Sequence, residues 1–256
     1  AFYRERLGDA GSKEESVPLY WAIAQVAERK LHNVDLAVRT YEAILEQTPD
    51  DVDVLRSLSR LFEATKRWDR LIEVSRWEVR LTPEPHKQAH VFFKMGSIHE
   101  TVHQDVDAAV ECYEAAVELD PKCVPALHGL REIHRRRGDW LRVIDTLKRE
   151  AELWTDDRER ASVHTMIADV YRDRLSDNAL AERHVREAIR LADDYLGARR
   201  RLLDLEIEGE RWLEAAALVR ELVDEASGTD REQAELHVLR ANISSRLGEH
   251  RVAVAA

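Results

Sequence analysis

The stretch Asp105–Pro121 reads DVDAAVECYEAAVELDP, and its spacing decides the fold. Ala109 and Tyr113 stand four apart, Ala116 follows three later, and Pro121 closes the run. Residues three and four apart share a helix face, so Ala109, Tyr113 and Ala116 form one stripe. Just upstream, Phe92, Met95, Gly96 and His99 run aromatic, apolar, small, ring at helical intervals. Small residues at Gly96, Ala109 and Ala116 let two antiparallel helices approach closely while larger neighbours fill the gaps. A proline cannot continue a helix interior, so Pro121 marks a turn. One such hairpin cannot bury its apolar face alone. Stacked neighbours can.

The order Phe92-x2-Met95-Gly96-x2-His99, then Ala109-x3-Tyr113, then Pro121 resembles the tetratricopeptide repeat pattern W-x2-L-G-x2-Y, A-x3-F, P. Comparable stripes extend along nearly the whole chain. Tyr20, Ile23, Ala24 and Ala27 precede Ala37, Tyr41, Ile44 and Pro49. Leu55, Leu58 and Phe62 precede Trp68, Leu71 and Pro83; Leu127, Leu130 and His134 precede Gly138-Asp139-Trp140. His164, Ile167, Ala168 and Tyr171 precede Ala181, Val185 and Ala188; Leu202, Leu203 and Glu206 precede Trp212, Ala215 and Val219. The resemblance implies an all-α, right-handed superhelical solenoid of antiparallel helix pairs, about seven repeats long. They are expected near residues 16–50, 51–84, 88–122, 123–156, 160–194, 195–228 and 232–256, as one continuous array truncated at both ends. Residues 1–7 read as the tail of an upstream helix and Gly8–Glu15 as a loop; the last repeat, with Ala241 and Ala253, stops before its second helix is complete.

A longer period overlies the short one. Trp68, Trp140 and Trp212 are separated by 140 − 68 = 72 and 212 − 140 = 72 residues. Ala37, Ala109 and Ala181 keep the same interval, as do Ala24, Gly96 and Ala168. The implied unit of duplication is a pair of repeats. Each tryptophan is expected to begin a second helix and to be largely buried between the helices of its repeat.

A formal charge of −11 disfavours general binding to nucleic acid or to an anionic membrane. Two cysteines, Cys112 and Cys123, are too few for a disulfide framework or a zinc ribbon, leaving a buried Cys112 and a loop-side Cys123. No signal peptide or membrane span is visible, so a cytoplasmic setting is the default. P-loop, Rossmann and G-x-S-x-G patterns are missing, and no cofactor is expected.

His99-Glu100-Thr101-Val102-His103 is a literal HExxH, which on an intact helix would aim two imidazoles at zinc with Glu100 as general base. Against this, His99 holds the internal packing slot filled elsewhere by Ala27 and Tyr171, the helix should end near Val102, and no third ligand stands out. His86 and His90 form a second i,i+4 pair at a helix entrance, read as an exposed cap. The expectation is therefore no metal site and no catalysis.

The family resemblance implies instead a protein-interaction scaffold whose first helices line a concave groove. The outward positions are Arg56, Arg60 and Glu63, then His90, Phe93 and Ser97, then His128, Glu132, Arg135 and Arg136, then Thr165, Asp169 and Arg172. The family's carboxylate clamp of lysines and asparagines is not reproduced. Arg56, Arg60, His90, Phe93, His128, Arg135 and Arg136 are expected to form a positive, partly aromatic lane. Such a lane suits an acidic peptide or protein segment with an apolar anchor near Phe93. The alternatives are a spacer or self-associating section of a longer repeat protein, and, remotely, the zinc hydrolase.

Overall fold

In the computed structural model, which describes residues 12–225 and 230–255, the described residues are helical with short joints and no strand. The helices are α1 (Lys13–Arg29), α2 (Val34–Gln47), α3 (Val52–Ala64), α4 (Trp68–Leu81), α5 (Pro85–Ile98), α6 (Val106–Leu119), α7 (Val124–Arg137), α8 (Trp140–Leu153), α9 (Asp157–Leu175), α10 (Asn178–Leu191), α11 (Leu196–Glu208), α12 (Trp212–Glu225) and α13 (Asp230–Ala255). One π-helical turn, His99–His103, extends α5. The expected tail at residues 1–7 lies outside the described residues. The expected loop at Gly8–Glu15 is shorter where described: α1 begins at Lys13, with Glu14 and Glu15 in its first turn, where acidic side chains favour the helix dipole.

Helix starts are set by local side-chain chemistry. Asn33, Asp105 and Asp177 each accept a hydrogen bond from the backbone N–H three residues on, at 3.0, 3.0 and 2.9 Å. Asp51 and Asp156 each cap two N–H groups. Pro85 opens α5 at a position that needs no donor.

Helix stops are set by backbone. After α1, α3, α5, α7, α9 and α11 the chain passes through one left-handed residue: His32, Lys66, Gln104, Gly138, Ser176 and Glu210, with φ between 49° and 75°. The following N–H then reaches back to a carbonyl of the preceding turn, as Arg67 to Phe62 and Asp139 to His134, both at 2.9 Å. These joints reverse the chain within a few residues, which places consecutive helices antiparallel. Successive left-handed residues of the same kind stand 104 − 32 = 72 and 176 − 104 = 72 apart, and 138 − 66 = 72 and 210 − 138 = 72. The last repeat, expected to stop before its second helix is complete, shows a single helix: α13 runs unbroken through Gly248 to Ala255. Extending an existing helix by a few residues needs no new nucleus, whereas starting another does.

The chain forms two compact units, residues 1–130 and 131–256. In each, helices pack on their sequence neighbours; α9 also touches α11. The first unit's core joins Ala24, Ala27, Ala37, Tyr41, Ile44, Leu55, Leu58 and Phe62 to Leu71, Ile72 and Met95. The second holds clusters around Val143–Leu147–Ile167, Ala168–Ala181–Val185–Ala198 and Leu203–Ala215–Leu222–Ile243. Trp68, Trp140 and Trp212 do begin α4, α8 and α12. They are mostly covered without being fully buried, because the first residue of a helix lies at the rim of its packing face. Cys112 is buried and Cys123 half-buried, both as free thiols.

The tightest packing surrounds Tyr113. A Cβ added at Gly96 would lie 2.6 Å from its ring, and one at Gly129 2.7 Å. The phenol is held between two glycines of flanking helices. Gly96→Ala should therefore destabilise by about 1–3 kcal/mol through overpacking, despite a helix-propensity gain of about 1 kcal/mol. In a Tyr113→Leu background the same change should become neutral or stabilising. Denaturant titration of the four proteins checks this; an equal cost in both backgrounds contradicts it. The left-handed joints yield a second expectation. Lys66→Gly and Glu210→Gly should each add about 0.5–1 kcal/mol of stability, and Gly138→Ala should cost about 1 kcal/mol. Melting curves of the three variants check the signs.

Candidate functional site

The first unit carries a groove of about 780 Å³. Arg56, Ser59, Arg60 and Glu63 enter it from α3; Trp68, Leu71, Ser75 and Glu78 from α4; and His90, Phe93, Lys94 and Ser97 from α5. Thr101 and Val102 line it from the π-helical turn. The wall is largely apolar. Trp68 packs against the core on one side and borders the groove on the other. Phe93 is half-buried because its ring stacks on Tyr113, with centroids 5.9 Å apart.

The cations around this wall are paired across helices. Arg56 Nε stands 3.4 Å from Glu78 Oε1, and Ser59 donates to the other oxygen of Glu78 at 3.4 Å. Arg60 forms a close pair with Glu28 of α1, and its guanidinium holds the Glu28 carboxyl below the usual range. Lys94 Nζ lies 3.5 Å from Glu63 Oε2. The groove is therefore close to charge-balanced, and the positive lane expected from sequence is not a field of free cations.

Four of the expected residues, Arg56, Arg60, His90 and Phe93, share this groove. His128, exposed on α7, is not among its lining residues. Arg135 and Arg136 belong to the second unit, where Arg135 is held by Glu132 through two nitrogens at 3.1 and 2.8 Å. Other outward positions are spent on packing. Thr165 is buried and donates to the Ala161 carbonyl at 2.8 Å. Asp169 accepts from Arg201 Nε at 2.5 Å, and Arg172 contacts Asp204 at 3.5 Å, so both tie α9 to α11. Sequence reasoning missed Lys94 and Val102 as lining residues and treated Trp68 as packing alone. The spacing Phe93, Ser97 with Lys94 and Thr101 beside it was the available signal: these positions continue one face of α5 into its π-helical turn.

The HExxH segment is built into the fold. His99 is buried, its Nδ1 has no hydrogen-bond partner, and burial pushes its pKa down. The π-helical turn brings the His103 ring edge-on to His99 at 5.4 Å, while His103 Nε2 lies 3.2 Å from Asp69 Oδ1. Glu100, the would-be base, accepts a 2.9 Å hydrogen bond from the Tyr113 hydroxyl. Among the described residues no group of three or more His, Cys, Asp or Glu is placed to hold a metal ion. Elemental analysis of purified protein should find no stoichiometric zinc; zinc lost in a His103→Ala variant would overturn this assignment.

Among the described residues no helix is long and apolar enough to cross a membrane. Three segments match models described as tetratricopeptide repeat, at residues 26–72, 89–123 and 126–161. No curated protein matches the chain. Among solved structures, MamA is 18% identical, covering 70% of this chain and 93% of its own, with a TM-score of 0.46. A tetratricopeptide repeat protein from Parabacteroides merdae is 13% identical, covering 93% and 90%, with a TM-score of 0.43. YrrB, described as a TPR protein with an unusual peptide-binding site, is 14% identical, covering 77% and 95%, with a TM-score of 0.44.

Proposed function

Because the chain is a tetratricopeptide repeat protein, we propose that it is a non-catalytic scaffold taking a peptide or protein segment in the groove of α3, α4 and α5. The observation that supports this reading is the groove itself, where a largely apolar wall stands among paired charges. Apolar walls supply affinity by leaving water, and the charged groups set orientation. Trp68, Leu71, Phe93 and Val102 suit one aromatic or aliphatic anchor. An acidic flank on the ligand suits Arg56, Arg60 and Lys94, because a guanidinium or ammonium keeps spare donors after one carboxylate contact. Since Glu28, Glu63 and Glu78 already offset these cations, the anchor contributes more than the charges.

The repeated 72-residue spacing of joints and tryptophans fits an array built by duplicating a two-repeat unit. In this reading the groove is one copy's version of a surface that recurs with different side chains.

The groove reading is tested with a natural partner isolated through a photoreactive residue placed at Thr101. Ser97→Trp, which fills the groove, should weaken that partner at least tenfold without lowering stability. Arg60→Glu should weaken it less, and by an amount that shrinks with salt. Full affinity in the Ser97→Trp protein would overturn the assignment. Concentration-dependent self-association in ultracentrifugation, with no groove dependence, would favour the self-associating section instead.

A further inference from the structure

A second constellation lies in residues 131–256 and shares no residue with the groove. His164 on α9 and His184 on α10 face each other with Nδ1 atoms 3.0 Å apart, while their ring centroids are 5.2 Å apart. The nitrogens are thus the nearest parts of the two rings. Tyr171 stacks on the far partner, 5.6 Å from His184 at 17°. Both imidazoles are half-buried. One period earlier, 164 − 72 = 92 and 184 − 72 = 112, the same places hold Phe92 and Cys112; two periods earlier they hold Tyr20 and Thr40. Only this copy puts two titratable rings into the slot.

Two neutral imidazoles satisfy this contact only as complementary tautomers, one donating from Nδ1 and the other accepting there. A first proton on the pair still leaves one acceptor. A second puts N–H on both nitrogens, leaving no acceptor and two like charges in contact. The surroundings also oppose charge. Lys148 of α8, Arg160 of α9, and Arg183 and Arg190 of α10 act against protonation, with Glu187 of α10 as the favouring carboxylate.

We propose that the His164–His184 pair is an acid-sensitive latch, holding α9 against α10 while neutral and loosening that hairpin when both rings are protonated. Burial, followed by the partner ring, pushes His184 down to about 4, and burial lowers His164 as well. The folded state binds these protons less readily than the unfolded chain, whose imidazoles titrate near about 6.5, so stability is intact above that pH. It is lost progressively as pH falls from about 6.5 towards about 4.

The test compares the full chain with a His164→Tyr, His184→Thr double variant, which borrows the side chains of the earlier copy. Between pH 7 and pH 4 the parent's unfolding constant should rise roughly a hundredfold more than the variant's. Amide exchange, corrected for intrinsic rates, should accelerate first in α9 and α10. Nitrogen NMR of the parent at pH 7 should show one Nδ1–H and one Nε2–H ring. Parallel pH profiles in parent and variant would overturn the latch. So would two Nε2–H rings titrating at the ordinary value, a result that needs no folded variant.

Discussion

Close helix approach, small residue against ring, is the constraint on which the rest of this structure depends. Ala24, Ala27, Ala37, Ala109, Ala116, Ala168, Ala181 and Ala188 are all fully or almost fully buried. Each removes side-chain bulk where two backbones pass, and a larger neighbour fills the remaining space. At Tyr113 the principle is most stringent, because Gly96 and Gly129 leave room for the ring and for nothing more. That placement also reaches the groove. Phe93 stacks on the same ring, and the Tyr113 hydroxyl takes Glu100, so the packing that joins α5 to α6 also shapes one wall of the groove.

Charge is organised around this scaffold as cross-helix pairs. Glu206 is almost fully buried and is held by Arg211, with Arg186 nearby, while Arg211 also reaches Glu182 at 2.8 Å. Arg131 meets Glu150 in the same manner between α7 and α8. A buried carboxylate is tolerable only with such partners, because removing one leaves an uncompensated buried charge. The same habit neutralises the arginines of the groove. A chain with net charge −11 thereby presents a groove wall that is locally close to balanced.

The fold was legible because its determinants are local. Ala109, Tyr113 and Ala116 report a face through spacing alone, and Asn33, Asp105 and Asp177 mark helix starts by short-range capping. The site was legible only in part. Arg56, Arg60, His90 and Phe93 share a face pattern, and the structure brings them together. Thr165, Asp169 and Arg172 have the same pattern but are consumed by packing and ion pairs to residues such as Arg201 and Asp204. Which outward residue is spent this way depends on a partner roughly one repeat ahead, and helix periodicity carries no record of it. The residual exposure of Trp68, Trp140 and Trp212 was hidden for a related reason: periodicity assigns a face, whereas exposure at a helix end depends on what covers the rim.

Within each compact unit, described helices pack chiefly on neighbours one place along the chain; α9 also reaches α11, and ion pairs tie α3 to α1 and to α5. The consequence is kinetic. Contacts separated by one or two helices require little loop closure, so the chain has low contact order and each hairpin assembles without waiting for distant partners. Cooperativity is transmitted only through shared interfaces, as in a one-dimensional lattice. A lesion in one hairpin therefore weakens its immediate neighbours within the unit most, and its effect fades with distance.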